Sequence, residues 1–314
     1  YHQIRISADL AILKRNTDRI DFYRVSGKSQ VPAWIESFDY YSPDRIEMLQ
    51  GTLTYNPMRV LYNFLIESKR NWAYFGDILE KNNKEYKALM PGFNTFINFY
   101  STDAFNKGEY KNRKFDMHAI AKSMFRETAD PIMSIPDVIQ VRNLGWEAYN
   151  KPGFGLRILR ENILGADRFD YAFKNYINKW AFKHPTPMDF FRAMEDGAGE
   201  DLGWFWKAWF YELWRLDQSV KDVDYVEQDP AKGAVITIEN LDKMAMPAVV
   251  EVELTSGEKE RFTFPVEIWQ RGSSWTFRTS TKLPIKSVVI DPDHSFPDMD
   301  SKNNTWKPLS VRSR

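Results

Sequence analysis

The sequence predicts a helical domain followed by an antiparallel β-sandwich, and two observations carry that reading. Up to about residue 217 apolar residues recur at intervals of three and four, the period of one helix face. Beyond it, short runs such as "GAVITIEN", "MPAVVEVELTSGEKERFTFPVEIW", "SSWTFRTST" and "IKSVVIDP" alternate apolar and polar residues between Gly, Pro and Asn. The chain of 314 residues is long enough for two such cores. The expected division is 1–217 and 218–314, with 30–140 an enlarged insertion in the helical part.

Asp44 to about Glu80 reads as helix, turn and helix, with Val60, Leu61, Phe64 and Leu65 on one face after Pro57. Residues 81–114 read as a helix with an exposed polar loop, and "DMHAIAKSMFRE" as a further helix. In "WEAYNKPGFGLRILRENILG" a Lys-Pro-Gly turn is expected to follow Tyr149 and to feed a helix from about Phe154 to Leu164, closed by Gly165. "RFDYAFKNYINKWAF" gives the next helix. Thr186, Pro187 and Asp189 then mark a start in which the threonine caps the first turn and the aspartate answers it three residues on. Leu202, Phe205, Trp206, Trp209, Phe210 and Leu213 form an apolar stripe, read as the buried face of a last helix. Within the sandwich, "TSGEK" reads as a hairpin turn.

Composition excludes several functions. Forty-three basic and forty-three acidic residues cancel, which removes the electrostatic footprint that nucleic acid requires. No apolar run approaches the roughly 20 residues of a membrane span. The absence of Cys removes disulfides, thiolate metal sites and a cysteine nucleophile. Aromatics make up 15% of the chain, and most are expected in the core. The first residues carry neither an initiator Met nor a signal-peptide pattern, so the chain reads as a piece of something longer.

Local catalytic motifs are missing. His2, His118, His184 and His294 are too scattered for a local zinc motif, and H-E-x-x-H does not occur. His118 reads as a helix-packing residue and His184 as a loop or capping residue. "KPGFG" and "GAGEDLG" lack the spacing of a phosphate loop. Glu195 with Asp196, and Glu200 with Asp201, are sequence neighbours whose side chains diverge on a helix, so they do not make a glycosidase acid and base. Asp291, Asp293, Asp298 and Asp300 suit calcium by type, but Phe296 stands where an EF-hand loop needs Gly and Lys302 where it needs Glu. A polar turn whose carboxylates serve local amides is the alternative.

Tyr149, Lys151 and Gly153, with the unbroken stretch to Phe210 that includes the Leu-Gly helix end, "HPTPMDFF" and the Trp-Phe-rich last helix, resemble the C-terminal part of the catalytic domain in the aminopeptidase N family of gluzincin metallopeptidases. The resemblance implies a thermolysin-like C-terminal half, followed by the sandwich domain of such enzymes. It implies that the Tyr149 hydroxyl donates to the oxygen that becomes negative during peptide hydrolysis. It also implies zinc in the full-length parent, held with the general base by a segment expected upstream of Tyr1, and none in this chain, which alone would be inactive. The partners implied are a peptide substrate and that upstream segment, and the family points to an exported or periplasmic protein if the source is bacterial. Pro152 replaces the glycine usual at its position and is expected to stiffen the turn. Two other readings stay open: Tyr149 as an ordinary tyrosine stapling a turn in a non-catalytic binding module, and a carbohydrate-binding sandwich using Trp269 and Trp275.

Overall fold

The computed structural model describes residues 3–6, 9–16, 19–24, 89–105, 116–134, 139–140, 142–180 and 185–308. The helix-turn-helix expected over 44–80, His2 and His184 lie outside the described residues.

The chain opens with strands, which corrects the expectation of an all-helical first domain. β1 (Gln3–Ile6), β2 (Asp9–Asn16) and β3 (Arg19–Arg24) form an antiparallel sheet in the order β1-β2-β3. Ile4 pairs with Ala11 and Ile12 with Tyr23. The period-two alternation of "RIDFYR" carries this signal.

The helical layer comprises α1 (Leu89–Phe105), α2 (Met117–Met124), α3 (Lys151–Ile158), α4 (Ala166–Trp180), α5 (Pro187–Ala198) and α6 (Gly203–Trp206). Single π-helical turns flank α3 at Trp146–Asn150 and Leu159–Ile163, and another continues α6 over Lys207–Tyr211. Their ends are chemically marked. Thr186 Oγ1 accepts from the Asp189 amide while the Asp189 carboxylate accepts from the Thr186 amide, closing both directions of the capping box. Gly165, just past the second π turn, has φ 81°, a conformation that disfavours any residue with a Cβ.

Aromatic rings fill this core. Phe93 of α1 meets Phe190 of α5 edge-on at 4.9 Å and Phe173 of α4 at 5.6 Å, and Phe191 stacks on Trp206 at 4.5 Å. Phe93, Phe96, Met117, Met124, Phe125 and Ile132 all belong to it. The described part of the 30–140 segment is therefore built into the core. The stripe on the last helix reaches only to Phe210: the helix ends at Glu212, which has extended backbone angles, and Leu213 is exposed.

Seven strands follow: β4 (Gln218–Tyr225), β5 (Ala234–Asn240), β6 (Ala248–Leu254), β7 (Lys259–Phe264), β8 (Ser274–Thr279), β9 (Ile285–Ile290) and β10 (Thr305–Trp306). One sheet has the order β10-β9-β6-β7 and the other β4-β5-β8, with antiparallel pairing throughout. Ile236 and Ile238 of β5, Val250 and Val252 of β6, and Val288 and Ile290 of β9 form the core between them. The "TSGEK" turn joins β6 to β7, with Gly257 at φ 88°.

The chain division near residue 218 is not a division of cores. Met244, Met246 and Phe296, all beyond that point, are fully buried in the helical cluster. The 291–300 turn is fixed there by its own carboxylates. Asp291 accepts from the amides of Ser295 and Phe296, and Asp298 from those of Gln218 and Asp300. This is the polar-turn arrangement in which carboxylates serve local amides.

Candidate active site

Tyr149 lies in the π turn Trp146–Asn150, which runs directly into α3. The Lys-Pro-Gly turn expected here does not exist: Lys151, Pro152 and Gly153 are helical, and this corrects the earlier reading. The residue types have a different cause. A proline inside an α-helix has no amide to donate and crowds the carbonyl four residues back. Pro152 stands at the start of α3, where a missing amide is tolerated, directly after a widened turn in which the Lys151 amide donates five residues back to the Trp146 carbonyl.

The glycines serve close approach. A Cβ on Gly153 would lie 2.7 Å from Thr95 Cγ2 of α1, and one on Gly155 would lie 2.2 Å from Trp209 Nε1. Across the first contact, Pro152 packs so closely on Gly92 that a Cβ there would come within 2.7 Å. Trp209 Nε1 donates to the Lys151 carbonyl at 2.8 Å, in a fully buried contact. α3 is thus pinned between α1 and the last helix, and Tyr149 sits one turn before the pinned segment.

Two charged residues flank the tyrosine on the buried side. Glu147 and Lys151 are both 0% exposed, and their charged atoms are 4.0 Å apart. Arg126 Nη2 lies 3.6 Å from Glu147 and also donates to Asn143 Oδ1 at 2.8 Å, tying the loop before the π turn to the same group. Burial pushes the Glu147 carboxyl up to about 7 against the opposing pull of Lys151 and Arg126, and brings the Lys151 ammonium down to about 8 against the pull of Glu147. Tyr149 itself is half-buried. The Glu–Lys spacing of four was a legible signal for the pair, because residues four apart share a helix face.

A small cleft lies farther along α3, lined by Phe154, Arg157, Glu161 and Asn162 opposite Met117, Asp293 and Ser295. Tyr149 is not among its lining residues. His118 and His294, far apart in sequence, stack on each other with ring centroids 4.1 Å apart. Sequence reasoning kept these two histidines separate, since nothing local in the chain joins them.

The fold and this segment define a class, a helical layer joined to a β-sandwich, with a tyrosine on a clamped π turn. Residues 68–209 match the family described as "Peptidase family M1 domain". Among solved structures it is similar to Legionella pneumophila aminopeptidase A, determined in complex with aspartic acid. That likeness has a TM-score of 0.51 at 14% identity and covers 74% of this chain. The chain spans only 26% of the length of that structure. No curated protein matches the chain. Among the described residues no helix is long and apolar enough to cross a membrane.

Proposed function

We propose that this chain is the C-terminal part of the catalytic domain, with its following sandwich, of a zinc-dependent aminopeptidase that removes N-terminal residues from peptides, and that Tyr149 donates its hydroxyl hydrogen bond to the developing oxyanion. The observation that carries the reading is the placement of Tyr149 within the M1-matching segment, on a π turn whose flanks, Glu147 and Lys151, are completely buried. A donor aimed where negative charge develops lowers the barrier only if it is held in place beforehand, and a clamped helical turn meets that condition.

The residues of this chain do not fit the catalytic zinc that the resemblance implies. The sequence has no H-E-x-x-H, and the carboxylate nearest Tyr149 in sequence, Glu147, is committed to a buried ion pair. The chain's own contribution is therefore the phenol and the scaffold behind it, and the chain alone is inactive. The test is peptide hydrolysis by the full-length parent beside its Tyr149→Phe variant, with thermal stability recorded for both. Loss of one oxyanion donor predicts a fall in kcat of roughly 100-fold at unchanged stability. Equal turnover, or no turnover in the parent, would leave Tyr149 as a packing residue of a binding module.

A further inference from the structure

We propose that Asp116, His118 and His294 form a binding site for a divalent transition-metal ion of the zinc class, closed across the junction between α2 and the 291–296 turn. One ligand atom from each of the three lies within 4.8 Å of the others. The site rests on residues of this chain alone and needs no peptidase activity.

His118 is the fixed member. Its side chain is 5% exposed, and its Nε2 lies 3.1 Å from Asp291 Oδ2. Asp291 is an acceptor already held by two backbone amides, so the proton on His118 sits at Nε2 and the Nδ1 lone pair is left over. That Nδ1 is buried with no hydrogen-bond partner among the described residues. A buried ring nitrogen without a partner is uncommon and calls for a cause. A histidine held by a carboxylate at one nitrogen and presenting the other is the usual arrangement around a metal.

His294 and Asp116 are the adjustable members, both exposed. His294 has φ 51°, a conformation costly for a side chain other than glycine and one that recurs where function holds it in place. Its carbonyl accepts from the Met117 amide at 3.0 Å, which seats the ring on His118, and its Nδ1 lies 3.0 Å from Asp116 Oδ1. Asp116 also caps α2 by accepting from the Ala119 amide.

Two imidazoles and one carboxylate are the donor set of zinc and its neighbours, whereas calcium and magnesium favour oxygen alone. At bonds of about 2.1 Å in tetrahedral geometry, ligand atoms sit roughly 3.4 Å apart. His294 Nδ1 and Asp116 Oδ1 already lie 3.0 Å apart, and the widest separation, within 4.8 Å, has to shorten by at most about 1.4 Å. The exposed His294 ring supplies that movement by turning out of its stack and exchanging its hydrogen bond with Asp116 for the ion. The fourth position is left to solvent. Bound metal would clip the helical layer to the sandwich.

The experiment uses the whole 314-residue chain after chelator dialysis. Zinc binding is followed by calorimetry and thermal unfolding, and cobalt binding by its visible absorption. The expected result is one ion per chain with a dissociation constant of micromolar order or tighter, a raised melting temperature, and a cobalt band. Asp116→Asn and His294→Gln replace exposed side chains, and each should weaken binding at least 10-fold and remove the band. Two results would overturn the site: no saturable binding by the unaltered chain at 100-fold excess zinc, or an unchanged affinity and cobalt spectrum in both variants.

Discussion

Gly155→Ala tests the account of why α3 is glycine-rich, because local propensity and tertiary packing predict opposite signs for it. Alanine is favoured over glycine in a helix interior by about 1 kcal/mol, so a free helix would gain stability. In the folded chain the new Cβ would stand 2.2 Å from Trp209 Nε1 and 2.6 Å from Cδ1. Trp209 cannot swing aside: it is 0% exposed, stacks on Phe205 at 5.8 Å and meets Phe125 edge-on at 6.0 Å. Overpacking of this kind costs about 1–3 kcal/mol. Breaking the Trp209–Lys151 hydrogen bond leaves two buried groups unpaired at a further cost of about 1–3 kcal/mol. The net expectation is a destabilisation of about 3 kcal/mol, which at a slope of roughly 3 kcal/mol per molar moves the urea midpoint down by about 1 M. Gly145→Ala is the matched control. Gly145 has helical backbone angles and a Cβ there meets nothing within 4 Å, so the same substitution should be neutral or stabilising. Urea unfolding followed by circular dichroism reads both. A Gly155→Ala midpoint at or above that of the unaltered chain would refute the packing argument.

The buried Glu147–Lys151 pair predicts a pH profile. Between the ordinary carboxylate value of 4.5 and about 7 the folded chain keeps a proton that the unfolded chain has released, so stability falls as pH rises through that window. Between about 8 and 10.5 the folded lysine has released a proton that the unfolded chain keeps, so stability rises with pH there. Urea midpoints measured across both windows should lose the fall in Glu147→Gln and the rise in Lys151→Met, and a profile untouched by either substitution would contradict the burial argument. Phe296→Ala removes a ring that is 1% exposed and belongs to the helical core although it comes from the sandwich segment. A loss of about 3–5 kcal/mol is expected, with separation of the calorimetric transition into two; a single transition with an unchanged midpoint would show that the ring does not couple the two layers.

The sequence alone determined whatever depends on neighbours within a few residues. The Thr186–Asp189 capping box, the stop at Gly165, the hairpin turn at Gly257 and the alternation of β5 and β6 were all legible, because each is set by local backbone chemistry or by a repeat period. The strands within 3–24 carry the same kind of periodic signal, as in the alternation of "RIDFYR". Tertiary structure decided the rest. The glycines of α3 looked like turn residues, but Gly153 and Gly155 are required by Thr95 and Trp209, which approach from elsewhere in the chain. Whether Glu147 and Lys151 lie in water or in the core depends on what packs over them, and that choice moves both of their pKa values. Asp116, His118 and His294 meet only because the 291–296 turn folds back onto α2, a juxtaposition no local pattern encodes. A side chain's type and spacing fix its possible chemistry, while its burial and its distant partners, which select among those possibilities, exist only once the layers have packed.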